Sequence, residues 1–371
     1  MNVLALKKII LLSVLLFLFS SFLQKNDEAD CQQQFVDDNI ILVFAGDLMG
    51  HSPQFKAAYN AEKDIFDYTP NFSFIKKYIT KADYSFVNLE VTLAGKPYSG
   101  YPSFSSPDAV IEAVKDAGFN IVLTANNHVA DRGKTGLERT LRVINANNLR
   151  WAGSYKNTNQ RDSLYPLILN HKNYKIAVLN CTYGTNMNPV YSPNRVNMID
   201  TIELKTDIDK AKLQKPDLIL AVMHWGVEYQ LDANTEQKQI ADFLIRNNVK
   251  LVVGSHPHVV QNFENRGESL TPVVYSLGNF ISNQTKENTN GGIILRVEIA
   301  IHSGKISLSY LPVYVYRGVL NGKYNYYLIP TIDYIKNPSG FNIQSVDSQK
   351  LIRFDRLTRQ RLNNMSVWDE Y

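Results

Sequence analysis

The sequence predicts an α/β protein. Short apolar runs of strand length, rich in Val and Ile, alternate with stretches whose apolar residues recur at helical spacing. Several runs stop at a carboxylate, amide or imidazole residue, and strand ends of this kind are where α/β sheets bind ligands. After about residue 272 the texture changes to strands and tight turns, so the sheets are expected to be mixed.

The chain opens with Lys7 and Lys8 before an apolar stretch at 9–19 that only Ser13 interrupts. A basic start followed by an apolar run of this length marks residues 1–24 as a secretory signal peptide or a membrane anchor. No small-x-small cleavage site precedes Gln24, so both readings stand, and the protein is expected to be exported, periplasmic or at the cell surface. Residues 25–39 are polar and read as a linker. Residues 40–45 are a buried strand ended by Gly46-Asp47. Ile75, Tyr78 and Ile79 share a helical face. Residues 84–89 form the next strand and run into Glu90. The loop 94-AGKPYSGYPSFSSP-107 is long enough to be functional. Pro107-Asp108 opens a helix that ends at Gly118.

A third strand at 119–124 leads to 125-ANNHVADRG-133, and Leu137, Leu141 and Ile144 continue as a helix. Residues 164–169 and 175–180 flank a turn and predict a hairpin. Helices are expected at 202–213 and 237–245, with a strand at 218–223 between them. The run 251-LVVGSHPHVVQ-261 delivers His256 and His258 around Pro257. Proline biases His256 toward extended backbone, where residues i and i+2 project to one side. A long hairpin at 292–301 and 305–316 follows. The tail from about 331 is irregular, then helical over 348–362, with Arg353, Arg356, Arg359 and Arg361 on a solvated face.

At 371 residues with a net charge of +4, the chain has room for one large or two ordinary domains and shows no basic stripe suited to nucleic acid. Its two cysteines, Cys31 and Cys181, build no disulfide framework and are expected as unpaired thiols.

Five apolar runs end at Asp47, at Glu90, at Asn126-Asn127-His128, at His224, and at His256 with His258. Together they point to one site at the carboxyl edge of a sheet. Carboxylate, carbonyl and imidazole donors suit Mn, Fe, Zn or Mg. His128 beside such an ion could protonate a leaving group. Gly46 and Gly254 would let backbone come close to the site. A Ser/His/Asp hydrolase fails for want of a G-x-S-x-G elbow, although Ser255 adjoins His256.

The motifs GDLM (46–49), NLE (88–90), NNHVADRG (126–133), HWGVEY (224–229), SHPHVVQ (255–261) and YSLGNF (275–280) resemble the CapA family of capsule or poly-γ-glutamate synthesis proteins, relatives of calcineurin-like metallophosphatases. The resemblance covers roughly 40–318 and leaves 319–371 as a C-terminal extension. It implies a four-layer α/β/β/α sandwich with mixed sheets. It also implies that Asp47, Glu90, Asn127, His224, His256 and His258 bind one or two divalent ions, and that His128 is the proton donor. Met49 stands where the relatives usually carry histidine, with His51 two residues on, and this puts a second ion in question. Asp131 is expected to orient His128 or Asn127. Asn126, Arg132, Glu228 and Asn279 are expected to line the substrate pocket, with Lys96 on the long loop. The implied activity is metal-dependent cleavage or transfer on an anionic polymer such as poly-γ-glutamate, alongside membrane-bound capsule synthesis proteins. A metal-dependent phosphoesterase and a non-enzymatic export or assembly factor are the alternatives.

Overall fold

The computed structural model describes residues 38–368. The segment expected as leader or anchor, nearly all of the linker, and Cys31 lie outside the described residues. The elements that position the site are, in chain order, β1 (Asn39–Leu48), α1 (Ser52–Ala58), β2 (Tyr84–Leu89), α2 (Ala109–Asp116), β3 (Ile121–Leu123), α3 (Gly133–Ala146), β4 (Arg150–Ala152), β5 (Leu167–His171), β6 (Tyr174–Thr182), α4 (Thr201–Leu213), β7 (Leu218–His224), α5 (Thr235–Arg246), β8 (Leu251–Ser255), β9 (Phe263–Arg266), β10 (Thr271–Val274), β11 (Asn279–Ile281), β12 (Gly291–Ala300), β13 (Ile306–Leu320), β14 (Lys323–Pro330) and α6 (Ser345–Arg361).

Two mixed sheets carry the chain. One runs β14-β13-β12-β1-β2-β3-β4, with β11 pairing in parallel to the end of β1. Its β1–β4 half is parallel and its β12–β14 half antiparallel. The other runs β9-β10-β8-β7-β6-β5, parallel in the middle with an antiparallel hairpin at each edge.

Strand alternation makes the layers. Val43 and Ala45 of β1 face outward and pack with Val110, Ile111 and Val114 of α2. Leu42 and Phe44 face inward and meet Val178, Leu220, Val222 and Val253 of the second sheet. The far face of that sheet, with Leu179, Ala221 and Met223, packs on Leu204 and Ile208 of α4 and on Ala241 and Leu244 of α5. Each aliphatic side chain buried this way contributes roughly 1.5–3 kcal/mol relative to exposure. The result is the α/β/β/α order that the resemblance implies.

The helices start where their caps put them. Asp200 accepts hydrogen bonds from the Ile202 and Glu203 amides at 2.8 and 2.9 Å and opens α4. Asn234 and Gln237 form a reciprocal capping box that opens α5. Replacing Asn234 by alanine would cost about 1 kcal/mol.

Some expectations shift. Leu164 ends a helix (Thr158–Leu164) instead of starting a hairpin strand, because Asn157 caps that helix by accepting from the Gln160 amide. Strand β9 was not anticipated; it pairs antiparallel to β10. The boundary expected at residue 318 falls inside a hairpin, since β13 and β14 pair from Val313↔Pro330 to Leu320↔Lys323. The arginines of α6 are not uniformly solvated: Arg359 Nε donates to Asp355 Oδ2 at 2.8 Å, and Arg361 Nη1 donates to the Leu231 carbonyl at 2.8 Å. Leu351 and Phe354 on the same helix are buried. Cys181 is a buried free thiol on β6, and burial pushes its pKa up to about 12. Among the described residues no helix is long and apolar enough to cross a membrane.

Candidate metal centre

Alternation along each strand selects which polar residues face the gap between the sheets. Phe86 lies in the inter-sheet core and Val87 in the outer one. Asn88 and Glu90 therefore continue the inward row. Leu220 and Val222 of β7 face inward, so His224 does too. Asp47 does not follow the simple rule. Val43 and Ala45 point outward, and strict alternation would send Asp47 after them. A register shift between Ala45 and Asp47 intervenes, so Asp47 sits opposite Asn88. One bulged residue reverses the facing of everything beyond it. Gly46 occupies the bulge because a Cβ there would lie 2.0 Å from the Gly278 carbonyl oxygen. Gly254 serves a comparable close approach, with Tyr275 O 1.9 Å from the position of a Cβ.

The histidine pair converges by a route different from the extended one. His256 has φ +101° and His258 φ +59°. Both are left-handed backbone conformations that side-chain-bearing residues adopt at a cost of order 1–3 kcal/mol. The chain turns sharply past Ser255, and this turn brings both rings back to the site. The edge is also shared: β1, β2 and β3 come from one sheet, β7 and β8 from the other, where a single sheet edge was expected.

The donors meet. Potential ligand atoms of Glu90, His256 and His258 lie within 4.8 Å of one another, as do those of Asp47, Glu90 and His224. Glu90 is common to both triads. His258 Nδ1 is 3.2 Å from Asp47 Oδ2, and His224 Nε2 is 3.6 Å from Glu90 Oε1. Asn127 Oδ1 lies 2.8 Å from His224 Nε2. Met49 takes no part; it is buried in the outer core. His51 stands at the N-cap of α1, its Nδ1 3.1 Å from Gln54 Oε1 and its amide donating to the same oxygen at 2.8 Å. That is the capping alternative, outside both triads.

The electrostatics fit a cation. Both Glu90 carboxylate oxygens and His256 Nδ1 are buried without hydrogen-bond partners among the described residues. Such orphaned groups cost about 1–3 kcal/mol each unless something satisfies them. Burial, then the nearby Asp47 charge, push the Glu90 carboxyl well above its ordinary range. Burial acts on Asp47 in the same direction, but His258, His224 and the Asn88 amide outweigh it and hold that group at about 2. Burial and the His258 ring push His256 down to about 3, and burial with His256 drives His224 well below its usual value. Neutral imidazoles beside carboxylates in a closed space are the donor set that Mn, Fe or Zn takes.

His128 lies next to this cluster, buried, with Nδ1 2.8 Å from Asp131 Oδ2. Asp131 Oδ2 also accepts from the Phe104 amide at 2.8 Å, and the Phe104 ring meets His128 edge-on at 4.7 Å. The long loop 94–107 thus fixes the His128–Asp131 pair. The four residues expected to line a substrate pocket divide. Asn126 and Asn279 are fully buried. Asn126 donates to Asn88 Oδ1 and Leu89 O and accepts from the His128 amide, so its amide is committed inside the protein. Asn279 donates to Gln284 Oε1 and Thr289 O. Arg132 is half-buried and donates to Ser99 Oγ at 2.9 Å, while Glu228 and Lys96 are exposed.

Sequence reasoning missed Asn88, Tyr183, Asn186 and Asn188. Asn88 Nδ2 donates to Asp47 Oδ1 at 2.8 Å and lies 3.2 Å from His224 Nδ1. Its signal was present: an amide in an apolar strand, two residues before Glu90 on the same face. Tyr183 lies with its ring centroid 4.5 Å from that of His256. It and the two asparagines sit on the connection after β6, where no pattern marked them.

The chain is similar to known proteins in three comparisons. The family model described as Bacterial capsule synthesis protein PGA_cap matches residues 41–284. The capsule biosynthesis protein CapA of Bacillus anthracis is 24% identical over 321 residues, 83% of this chain and 75% of that protein. The PGA biosynthesis protein CapA of Bacillus subtilis (strain 168) is 25% identical over 278 residues, 71% of this chain and 69% of that protein. Among solved structures, one described as a novel phosphatase from Mycoplasma pneumoniae is 16% identical and covers 75% of this chain and 95% of its own, with a TM-score of 0.44.

Proposed function

This chain belongs to the bacterial capsule synthesis family PGA_cap, and from that membership we propose that it is an exported, metal-dependent enzyme that cleaves or transfers bonds in an anionic capsule polymer such as poly-γ-glutamate. The observation that carries the reading is the buried Glu90 carboxyl, with both oxygens unsatisfied, between Asp47 and three imidazoles. Asp47, Glu90, Asn127, His224, His256 and His258 would hold the ion, and two triads sharing Glu90 support either one ion or an adjacent pair. A divalent ion held there supplies Lewis-acid polarisation of a carbonyl or phosphoryl oxygen and activation of water.

The chain's own residues do the rest. Asp131 holds His128 by Nδ1 and leaves Nε2 as the ring atom that holds or gives up a proton for a leaving group. Phe104 packs edge-on against His128, and Tyr183 packs against His256. Arg132 and Lys286 carry positive charge toward an anionic chain. Lys286 Nζ sits 3.6 Å over the Tyr229 ring, and that ring lies 6.1 Å from His258. Export rests on Lys7, Lys8 and the apolar run at 9–19. Membrane-bound capsule synthesis proteins are the partners this placement calls for.

The test is metal analysis of the purified full chain together with release of glutamate oligomers from poly-γ-glutamate, wild type against His256→Ala. Bound Mn, Fe or Zn and oligomer release in the wild type, both lost in the variant, support the reading. Turnover of a generic phosphodiester without oligomer release redirects it to a phosphoesterase. A wild type that takes up no metal points to an assembly factor.

A further inference from the structure

The connection after β6 folds back over the metal-ligand cluster. The Tyr183 amide donates to the His224 carbonyl at 2.9 Å. A turn closes behind it, with Asn188 N donating to Thr185 O at 2.8 Å and Thr185 Oγ1 donating to Asn188 O at 2.7 Å. From that turn, exposed Asn186 and half-buried Asn188 reach back to the site with their side chains. Asn186 Oδ1 accepts from Asn127 Nδ2 at 3.1 Å and from the Tyr183 hydroxyl at 3.5 Å. Asn188 Nδ2 donates to Asp131 Oδ1 at 3.2 Å.

We propose that Asn186 is a positioning residue that sets which end of the Asn127 amide faces the cluster. The inference rests on the reading of that cluster as a metal centre. A carboxamide turned by a half rotation exchanges a lone-pair oxygen for an N–H pair, and only the oxygen binds a cation. Asn127 Oδ1 points inward, 2.8 Å from His224 Nε2. What keeps it there is the acceptor on the outer side: Asn186 Oδ1 gives the Nδ2 group a partner that only the present orientation satisfies. Remove that acceptor and the amide is free to offer its N–H face to the ion, which repels it. Partners of this kind behind a ligand are typically worth 10–100-fold in metal affinity. Asn188 ties the same turn to Asp131, so one short segment orients a ligand and the residue holding His128.

Asn186 has φ +51°, a conformation that asparagine and glycine tolerate. Asn186→Gly therefore removes the acceptor without straining the turn, and Asn186→Asp keeps an acceptor at the same place. The experiment titrates the metal-free full chain with Co2+ alone and follows visible absorption. The expected result is a dissociation constant about tenfold weaker for Asn186→Gly with altered bands, and recovery toward wild type for Asn186→Asp. Asn127→Ala and the double variant Asn127→Ala/Asn186→Gly should bind equally weakly, because the second change acts only through the first. Thermal melting of the metal-free proteins confirms that each is folded. Wild-type Co2+ binding with an unaltered Asn186→Gly titration, an unrecovered Asn186→Asp, or additive losses in the double variant overturns the proposal while leaving the metal centre intact. A wild type that does not bind Co2+ overturns both.

Discussion

Glu90→Gln separates the demands of function from those of folding. Glu90 is fully buried, and neither carboxylate oxygen has a hydrogen-bond partner among the described residues. Glutamine keeps the shape and cannot ionise. A raised folded-state pKa means that the native protein holds its proton more tightly than the unfolded chain does. Stability from this group is full below the ordinary value near 4.5 and is lost as pH rises toward the higher folded value. At pH 7 the metal-free wild type therefore carries a penalty that the variant lacks. At about 1.4 kcal/mol for each pH unit between 4.5 and 7, the gain is at most about 3.4 kcal/mol. For a chain this long, with an unfolding entropy of about 2.1 cal/mol/K per residue, that is at most roughly 4 °C in melting temperature. With metal the order reverses. An ion at one thousand times its dissociation constant adds about 4.1 kcal/mol to the wild type and little to a variant that has lost a shared ligand. The assay is thermal unfolding of both proteins at pH 7 and at pH 4, after chelation and again with Mn2+. A Glu90→Gln shift of the same sign and size with and without metal would refute the reasoning. So would a variant whose metal-free gain persists unchanged at pH 4.

Two further outcomes follow from the geometry. His256→Gly should be more stable than His256→Ala by about 1 kcal/mol in urea denaturation, because glycine accepts φ +101° without the Cβ penalty. Lys286→Ala should raise KM for the polyanionic substrate severalfold at low salt, with kcat and bound metal unchanged. Lys286 makes no ion pair among the described residues, and the effect should shrink as salt screens the charge.

Much of the candidate site was legible in the sequence because strands alternate. Glu90 and His224 extend inward rows begun by Phe86 and Val222, so a polar residue at the right parity beyond an apolar run announces itself. The tail was harder to read. Residues 319–330 look like the start of an appendage, yet β14 completes the first sheet, because the pairing partner that makes it a strand is β13. The placement of Asn126, buried and hydrogen-bonded inside the protein, was hidden for a related reason. A surface turn asparagine and a fully buried one have the same local sequence, and only packing against Asn88 and Leu89 distinguishes them.

What the sequence determined alone is the alternation of strands and helices and the donor types at the strand ends, since these follow from local periodicity and side-chain chemistry; the layer order was implied only by the family resemblance. Tertiary structure alone decided that Asp47 turns inward, through one bulged glycine pressed against the Gly278 carbonyl. It alone drew His256 and His258 together through left-handed backbone, and placed Asn186 behind Asn127. Each of these depends on contacts between residues tens to hundreds of positions apart, which local periodicity does not encode.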